Sequence, residues 1–194
     1  MVEGMNGVTE QTPNHIPFGA GTFHKGLKYT KDSGWNFAES IVGATNGGSK
    51  LDIVPEYYDV PLDGVNVPLM ETKAKIGEVA TIEANMAELT EEILKASAHA
   101  IEGVSEDDMY TLLESKAELT VDDFWENVAF VGKTLKGKNI IAILPNALCT
   151  SGFSNQGQNK ASGTNAYTFT CHASIEQVNL NKLPWKIYYP KATA

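Results

Sequence analysis

Between Ile76 and Met86 the chain alternates. Ala80, Ile82, Ala84 and Met86 fall on one side, and Thr81, Glu83 and Asn85 fall on the other. A period of two predicts a strand with one buried face. Tyr167–Ile175 reads the same way, with Tyr167, Phe169 and Cys171 opposing Thr168, Thr170 and His172. Two longer apolar runs, Trp125–Lys133 and Lys138–Thr150, are joined by the glycine-containing TLKGK and predict a β-hairpin. Leu183–Pro190 predicts a last strand. Near the start, PFGAGTFHKGLKY predicts a strand interrupted by Gly19 and Gly21.

Ser40–Val42 and Leu51–Val54 flank GATNGGS. Asn46-Gly47 predicts a tight hairpin turn there, because both residues accept positive φ. The strand after it is expected to run on through Tyr57 and Tyr58. Residues 59–75 carry Pro61, Pro68 and the turn signal Asp63-Gly64, so they predict a long connection. A connection of that length in a compact domain serves a function or reaches a neighbour.

One segment has helical period. Thr90 is placed as the N-cap, Glu91 and Glu92 suit the positive end of the dipole, and Leu89 and Leu94 have staple spacing. The helix is expected over 90–102 and ends at Gly103. In 105–123, Leu113, Ser115, Ala117 and Leu119 alternate with Glu114, Lys116 and Glu118, which predicts extended chain. Residues 1–16 read as an extended arm, 151–165 as a polar connection and 191–194 as a tail.

Charge narrows the function. The 194 residues hold 24 acids and 15 basic residues, all lysine, for a net charge of -9. Arginine is the usual bidentate holder of phosphate, and the chain has none. A negative field also repels nucleic acid. The polar N-terminus does not read as a signal peptide, and no apolar run approaches the ~18 residues of a membrane span.

His15, His24, His99 and His172 have no metal-ligand spacing, and HExxH and CxxC are absent. Cys171 and His172 are strand neighbours that point to opposite faces. Cys149 and Cys171 are expected as free, buried thiols. Glu91-Glu92 and Glu106-Asp107-Asp108 suit a helix start and a solvated turn, without the spacing of a calcium loop. No catalytic residue, cofactor or metal is expected. Trp35, Trp125, Trp185, Tyr57, Tyr58, Tyr188 and Tyr189 suit core or inter-subunit packing, with a carbohydrate platform as the alternative.

Four segments then occur in a telling order: PFGAGTFHKG, AESIVGATNGGSKLDIVPEYYDVPLDGV, FWENVAFVGKTLKGKNIIAILPNAL and LPWKIYYP. Over residues 17–190 the chain resembles the tail tube (major tail) proteins of long-tailed bacteriophages of Gram-positive bacteria, and of related phage-tail-like bacteriocins. The resemblance implies a mainly β domain of two packed antiparallel sheets, sandwich- or barrel-like, with one flanking helix. It implies six-membered rings stacked into a tube in the virion tail, assembled in the host cytoplasm. DNA would pass through the lumen without specific binding, along an acidic wall that suits that passage. Tape-measure, tail-terminator and distal tail proteins would be the other partners.

On the same ground, residues 59–75 are the expected inter-ring arm. The expected inter-subunit residues are Leu62, Asp63, Val65, Val67, Pro68, Leu69, Met70, Trp185, Tyr188 and Tyr189. The alternatives are a β-sandwich carbohydrate-binding or surface-interaction module, the tube of a contractile injection machine, and an enzyme built on paired carboxylates.

Overall fold

A computed structural model describes residues 7–155, 163–180 and 182–191. In chain order it contains α1 (Thr12–His15), β1 (Pro17–His24), β2 (Tyr29–Thr30), β3 (Gly34–Trp35), α2 (Phe37–Ser40), β4 (Thr45–Asp59), β5 (Lys73–Met86), α3 (Glu91–Ala98), β6 (Ala100–Glu102), β7 (Leu113–Ser115), β8 (Trp125–Thr134), β9 (Asn139–Cys149), β10 (Asn165–Cys171) and β11 (Lys186–Tyr188). The protein is mainly β, and among the described residues α3 is the one α-helix longer than a single turn. The main sheet is antiparallel and ordered β1-β8-β9-β10-β5-β4, with β11 also on β9; β2-β3 and β6-β7 are small two-stranded sheets.

The main sheet curls until its ends meet. His24 of β1 bridges to Ile41, and the Val42 N–H donates to the Phe23 carbonyl at 3.2 Å. The chain entering β4 is thus tied to the far edge of the sheet, giving the expected sandwich- or barrel-like form. Ala80, Ile82, Ala84 and Met86 of β5 face inward with Val128, Leu144, Tyr167 and Phe169, and α3 adds Ile93. The Phe169 ring lies 5.1 Å from Phe23 and 4.8 Å from Trp125. Each such large side chain, fully buried, contributes roughly 1.5–3 kcal/mol of hydrophobic free energy.

The opposite face of β8 and β9 is buried too. Ala129, Val131, Ile141 and Ile143 are covered by Leu27, Trp35 and Phe37 from the segment 25–40. Burial on both faces explains why these two strands read as unbroken apolar runs.

Register sets the two ends of the barrel. Tyr57 pairs with Lys75, Thr170 with Thr81, Asn139 with Lys133 and Pro17 with Thr134. The β4–β5 tip, the β8–β9 turn and the start of β1 therefore share one end. The other end holds α3, which follows the Met86 end of β5, and the β6–β7 hairpin that follows α3.

Several expectations need correction. Asn46-Gly47 does not turn a hairpin; β4 runs straight through it. Gly47 and Gly48 have φ of 93° and 85° and form a bulge between Thr45 and Ser49. The helix stops at Ala98, because His99 takes a left-handed φ of 48° and caps it. Residues 100–102 are strand instead. Thr90 is the N-cap as expected, accepting from the Ile93 N–H at 3.3 Å.

In 105–123 only Leu113–Ser115 is strand, and Val121–Asp123 is a 3-10 turn. The arm is not extended throughout, since Thr12–His15 forms a helical turn with proline near its start. The last strand is limited to Lys186–Tyr188, and Ile175 lies in a 3-10 turn after β10. Part of the 151–165 connection and of the 191–194 tail lies outside the described residues.

A kink in β8 has no sequence signal. Trp125 and Val128 are three residues apart yet enter the same core. Between them Asn127 has φ of 49°, and register places it opposite Pro145, which has no N–H. The Gly26 and Leu27 N–H groups donate to the Glu126 and Asn127 carbonyls at 2.9 and 3.3 Å. These bonds lock the chain after β1 onto the kink.

Asn127→Gly should keep thermal stability near that of the parent. Asn127→Val should lose about 1–2 kcal/mol, because a β-branched side chain resists left-handed backbone. Gly47→Val should cost ~1 kcal/mol or more for the same reason. Denaturant melts of the three variants check both expectations, and an unchanged Gly47→Val midpoint would remove the bulge assignment.

Candidate assembly surfaces

β4 and β5 pair well beyond the barrel. Past Glu78 the pairing continues through Tyr57–Lys75, Tyr58–Ala74 and Asp59–Lys73. The neck is clipped at Asp59, whose two carboxylate oxygens each accept from the Lys73 ammonium at 3.1 Å. The same ammonium lies 5.7 Å from the Tyr57 ring centroid. Asp59 and Lys73–Lys75 are thus strand, and the connection proper is 60–72, shorter than the expected 59–75.

The tip is ordered by its own backbone. The Val60 N–H donates to Thr72, Val65 to Leu62, and Thr72 to Leu69, at 3.1, 3.2 and 3.3 Å. Gly64, with φ of 79°, supplies the left-handed residue of the turn. The loop folds around a cleft of about 300 Å³ lined by Leu62, Val65, Val67 and Leu69. Val67 is 66% exposed and Met70 83%. On the outer face of the hairpin, Val54 and Val79 are direct partners and both are exposed. These apolar side chains stand on a projecting hairpin and belong to no core cluster.

Leu62, Asp63, Val65, Val67, Pro68, Leu69 and Met70 therefore gather at this tip. Trp185, Tyr188 and Tyr189 do not join them. Trp185 is half-buried against the main core. Tyr188 stands edge-on to Trp35 at 5.0 Å, and the Tyr189 hydroxyl is 2.9 Å from His15 Nδ1. These three anchor the C-terminal segment and the N-terminal arm to the barrel, although both tyrosines keep about half their surface exposed. Trp125 is buried, which removes it from any carbohydrate platform.

Glu78 joins hairpin and C-terminal segment. Its carboxylate pairs with Lys75, and the Leu183 N–H donates to it at 3.0 Å. The Lys75 ammonium first, then the Leu183 N–H, hold the Glu78 carboxyl below the usual carboxylate range against the opposing effect of burial.

A second finger escaped the sequence reading. β6 pairs with β7, and the Gly103 N–H donates to the Leu112 carbonyl at 2.9 Å, closing the loop 103–112. The loop displays Val104 (92% exposed), Met109 and Tyr110. The detectable signal was an apolar pair, Met109-Tyr110, inside an acidic run. At the finger's base Asp123 accepts from the Thr120 N–H at 2.6 Å and from Lys116 at 2.7 Å. Burial alone would raise the Asp123 carboxyl, but Lys116 and Thr120 outweigh it and hold it low.

The reactive side chains are dispersed. Cys149 and Cys171 are free and buried, as expected. Burial pushes the Cys171 thiol up to about 11, so it is protonated at neutral pH. Buried His24 sits between the Thr22 and Ser40 hydroxyls at 2.7 and 2.9 Å, and burial lowers its pKa. His172 lies edge-on to Phe124. No group of three or more His, Cys, Asp or Glu among the described residues is placed to hold a metal ion. No helix among them is long and apolar enough to cross a membrane.

A carboxylate whose folded pKa is depressed stabilises the fold above its unfolded pKa, and that stability is lost as pH falls through the folded value. Glu78→Gln should therefore lower stability at neutral pH by about 1–3 kcal/mol, the cost of weakening a charged hydrogen-bonded anchor. The difference from the parent should vanish once pH falls below the usual carboxylate range. Melts at neutral and acid pH check this; a gap that persists in acid would contradict it.

No family model matches the chain, and no curated protein matches it.

Proposed function

We propose that this protein is a structural subunit that assembles with copies of itself into stacked rings forming a phage-type tail tube. The observation that carries the reading is the β4–β5 hairpin. It extends pairing beyond the barrel and ends in an ordered tip that exposes Leu62, Val65, Val67 and Met70. A monomer gains nothing from keeping such a surface in water, whereas a neighbouring copy would bury it.

Two further features support the reading. The outer edge of β4 and that of β11 have no strand partner among the described residues. Unpaired strand edges are templates for another chain, and ring closure is one way to use them. The net charge of -9 without arginine suits a conduit whose wall should not hold DNA. In this scheme six copies form a ring, the hairpin reaches the next ring, and the phage's tape-measure, terminator and distal tail proteins bound the tube.

Purified full-length protein at rising concentration should form rings or tubes in negative-stain microscopy. A strictly monomeric protein across concentration and salt, with tail-initiation proteins added, would overturn the reading. Replacing residues 62–71 by a short glycine linker should leave the circular dichroism spectrum and melting behaviour of a folded β domain while abolishing long assemblies. Unfolding of that variant would instead assign the tip to the monomer's own stability.

A further inference from the structure

The 103–112 finger and the Phe18–Lys133 mouth of an apolar groove lie at opposite ends of the barrel and carry opposite charge. The groove runs along the outside of β1 and β8, holds about 440 Å³, and is lined by Phe18, Gly21, Phe37, Ile41, Val131 and Lys133 among others. Phe18 is 65% exposed beside it, and Ile41 is exposed as well. Gly21 lies in the groove wall with φ of 70°, and a Cβ there would clash with the Phe130 ring. Lys133 and, in the adjoining turn, Lys136 have no carboxylate partner among the described residues, and the groove lining contains no acid.

The finger is the complement. The Asp107 carboxylate accepts from the Met109 N–H at 2.8 Å, and the Tyr110 N–H donates to the Asp107 carbonyl at 3.1 Å. This turn holds Met109 (85% exposed) and Tyr110 (72%) outward. Glu106, Asp107 and Asp108 flank them in the chain, and neither these nor Glu114 and Glu118 have a lysine partner among the described residues. Lys116, the one cation between residues 100 and 123, is already paired with Asp123.

We propose that the finger of one copy seats Met109 and Tyr110 in the β1–β8 groove of a second copy, with its acids against Lys133 and Lys136. This rests on the assembly reading and adds a second, separate contact to it. The finger stands at the α3 end, and the Phe18–Lys133 part of the groove opens at the hairpin end. A contact between unlike ends is heterologous, and where it displaces each copy along an axis it repeats without closing, which suits stacking. Aromatic and methionine anchors inside a charged rim are the usual make-up of an interface core. The β4–β5 tip fits this groove less well, because it projects from the same end of the barrel.

The test uses full-length chains bearing single surface cysteines. Met109→Cys, carrying a size tag, is mixed with Phe18→Cys under assembly conditions and oxidised, and heterodimers are read on a non-reducing gel. Buried Cys149 and Cys171 stay out of the reaction. The expected result is a strong 18–109 heterodimer. It should fall at least fivefold when the Phe18→Cys chain also carries Lys133→Glu, and recover when the Met109→Cys chain also carries Asp108→Lys. Tubes in the microscope without the 18–109 product would overturn this contact and leave the tube reading standing. A product of Phe18→Cys with Met70→Cys in its place would give the groove to the β4–β5 tip and overturn the assignment. Absence of any assembly would overturn both.

Discussion

Every backbone N–H and C=O in a sheet needs a partner, and the last strand on each side has half of its groups unpaired. The domain meets that requirement on one side only. The bridge from His24 to Ile41 and the bond from the Val42 N–H to Phe23 tie β1 to the chain that becomes β4. The outer edge of β4 and that of β11 stay open among the described residues. Pro55 lies on β4, where a residue lacking an N–H is tolerated because the strand is an edge. The proline, the bulge at Gly47-Gly48 and the second irregularity at Glu56-Tyr57 blunt this edge against indiscriminate pairing. Promiscuous addition of strands is discouraged, while a partner of matching twist can still add.

From that closure the rest of the architecture follows. A curled sheet must fill its interior, and Phe23, Phe169, Trp125 and Tyr167 do so with large rings. The central strands β8 and β9 are also covered outside by Leu27, Trp35 and Phe37. The rigid part of the molecule is thus a double-sided wall, and the projecting parts are clipped to it by single charges. Asp59 with Lys73 holds the neck of the long hairpin, Glu78 holds the C-terminal segment, and Asp123 with Lys116 holds the base of the finger.

The strands that alternate or run apolar were legible in the sequence, because burial writes its period directly onto residue type. β5, β8, β9 and β10 lie within a residue or two of expectation at most of their ends. The errors share another cause. Asn46-Gly47 correctly signals positive φ, yet positive φ serves a bulge as well as a turn, and the choice depends on whether Ser49 finds Ala84 across the sheet. The helix end at His99 was hidden because Gly103 offers a better local stop, and what decides is the pairing of Ala100–Glu102 with Leu113–Ser115. Likewise Asn127 has no local reason to kink; its φ answers the Gly26 and Leu27 N–H groups from distant chain. At the candidate surfaces, the proline-bounded arm showed in the sequence as a long connection. The partition of its neighbours did not, since Trp185 reads like a surface anchor until the core it packs against is known.

The absence of arginine has a consequence for how such surfaces would work. Lysine is a hydrated point charge that does not fix a carboxylate through two parallel bonds. Pairs between exposed lysines and acids contribute little and weaken with salt within a screening length of about 8–10 Å. In the proposed assembly, affinity between copies would therefore come from apolar anchors such as Met70, Val67, Met109 and Tyr110, with charge choosing which end meets which. That division suits a polymer of identical subunits. Apolar anchors alone would tolerate several orientations, and charge alone would dissolve at moderate salt. In the proposed contact, acids concentrated on the finger and Lys133 and Lys136 beside the groove would make like ends repel and unlike ends attract, selecting orientation before the apolar contacts close.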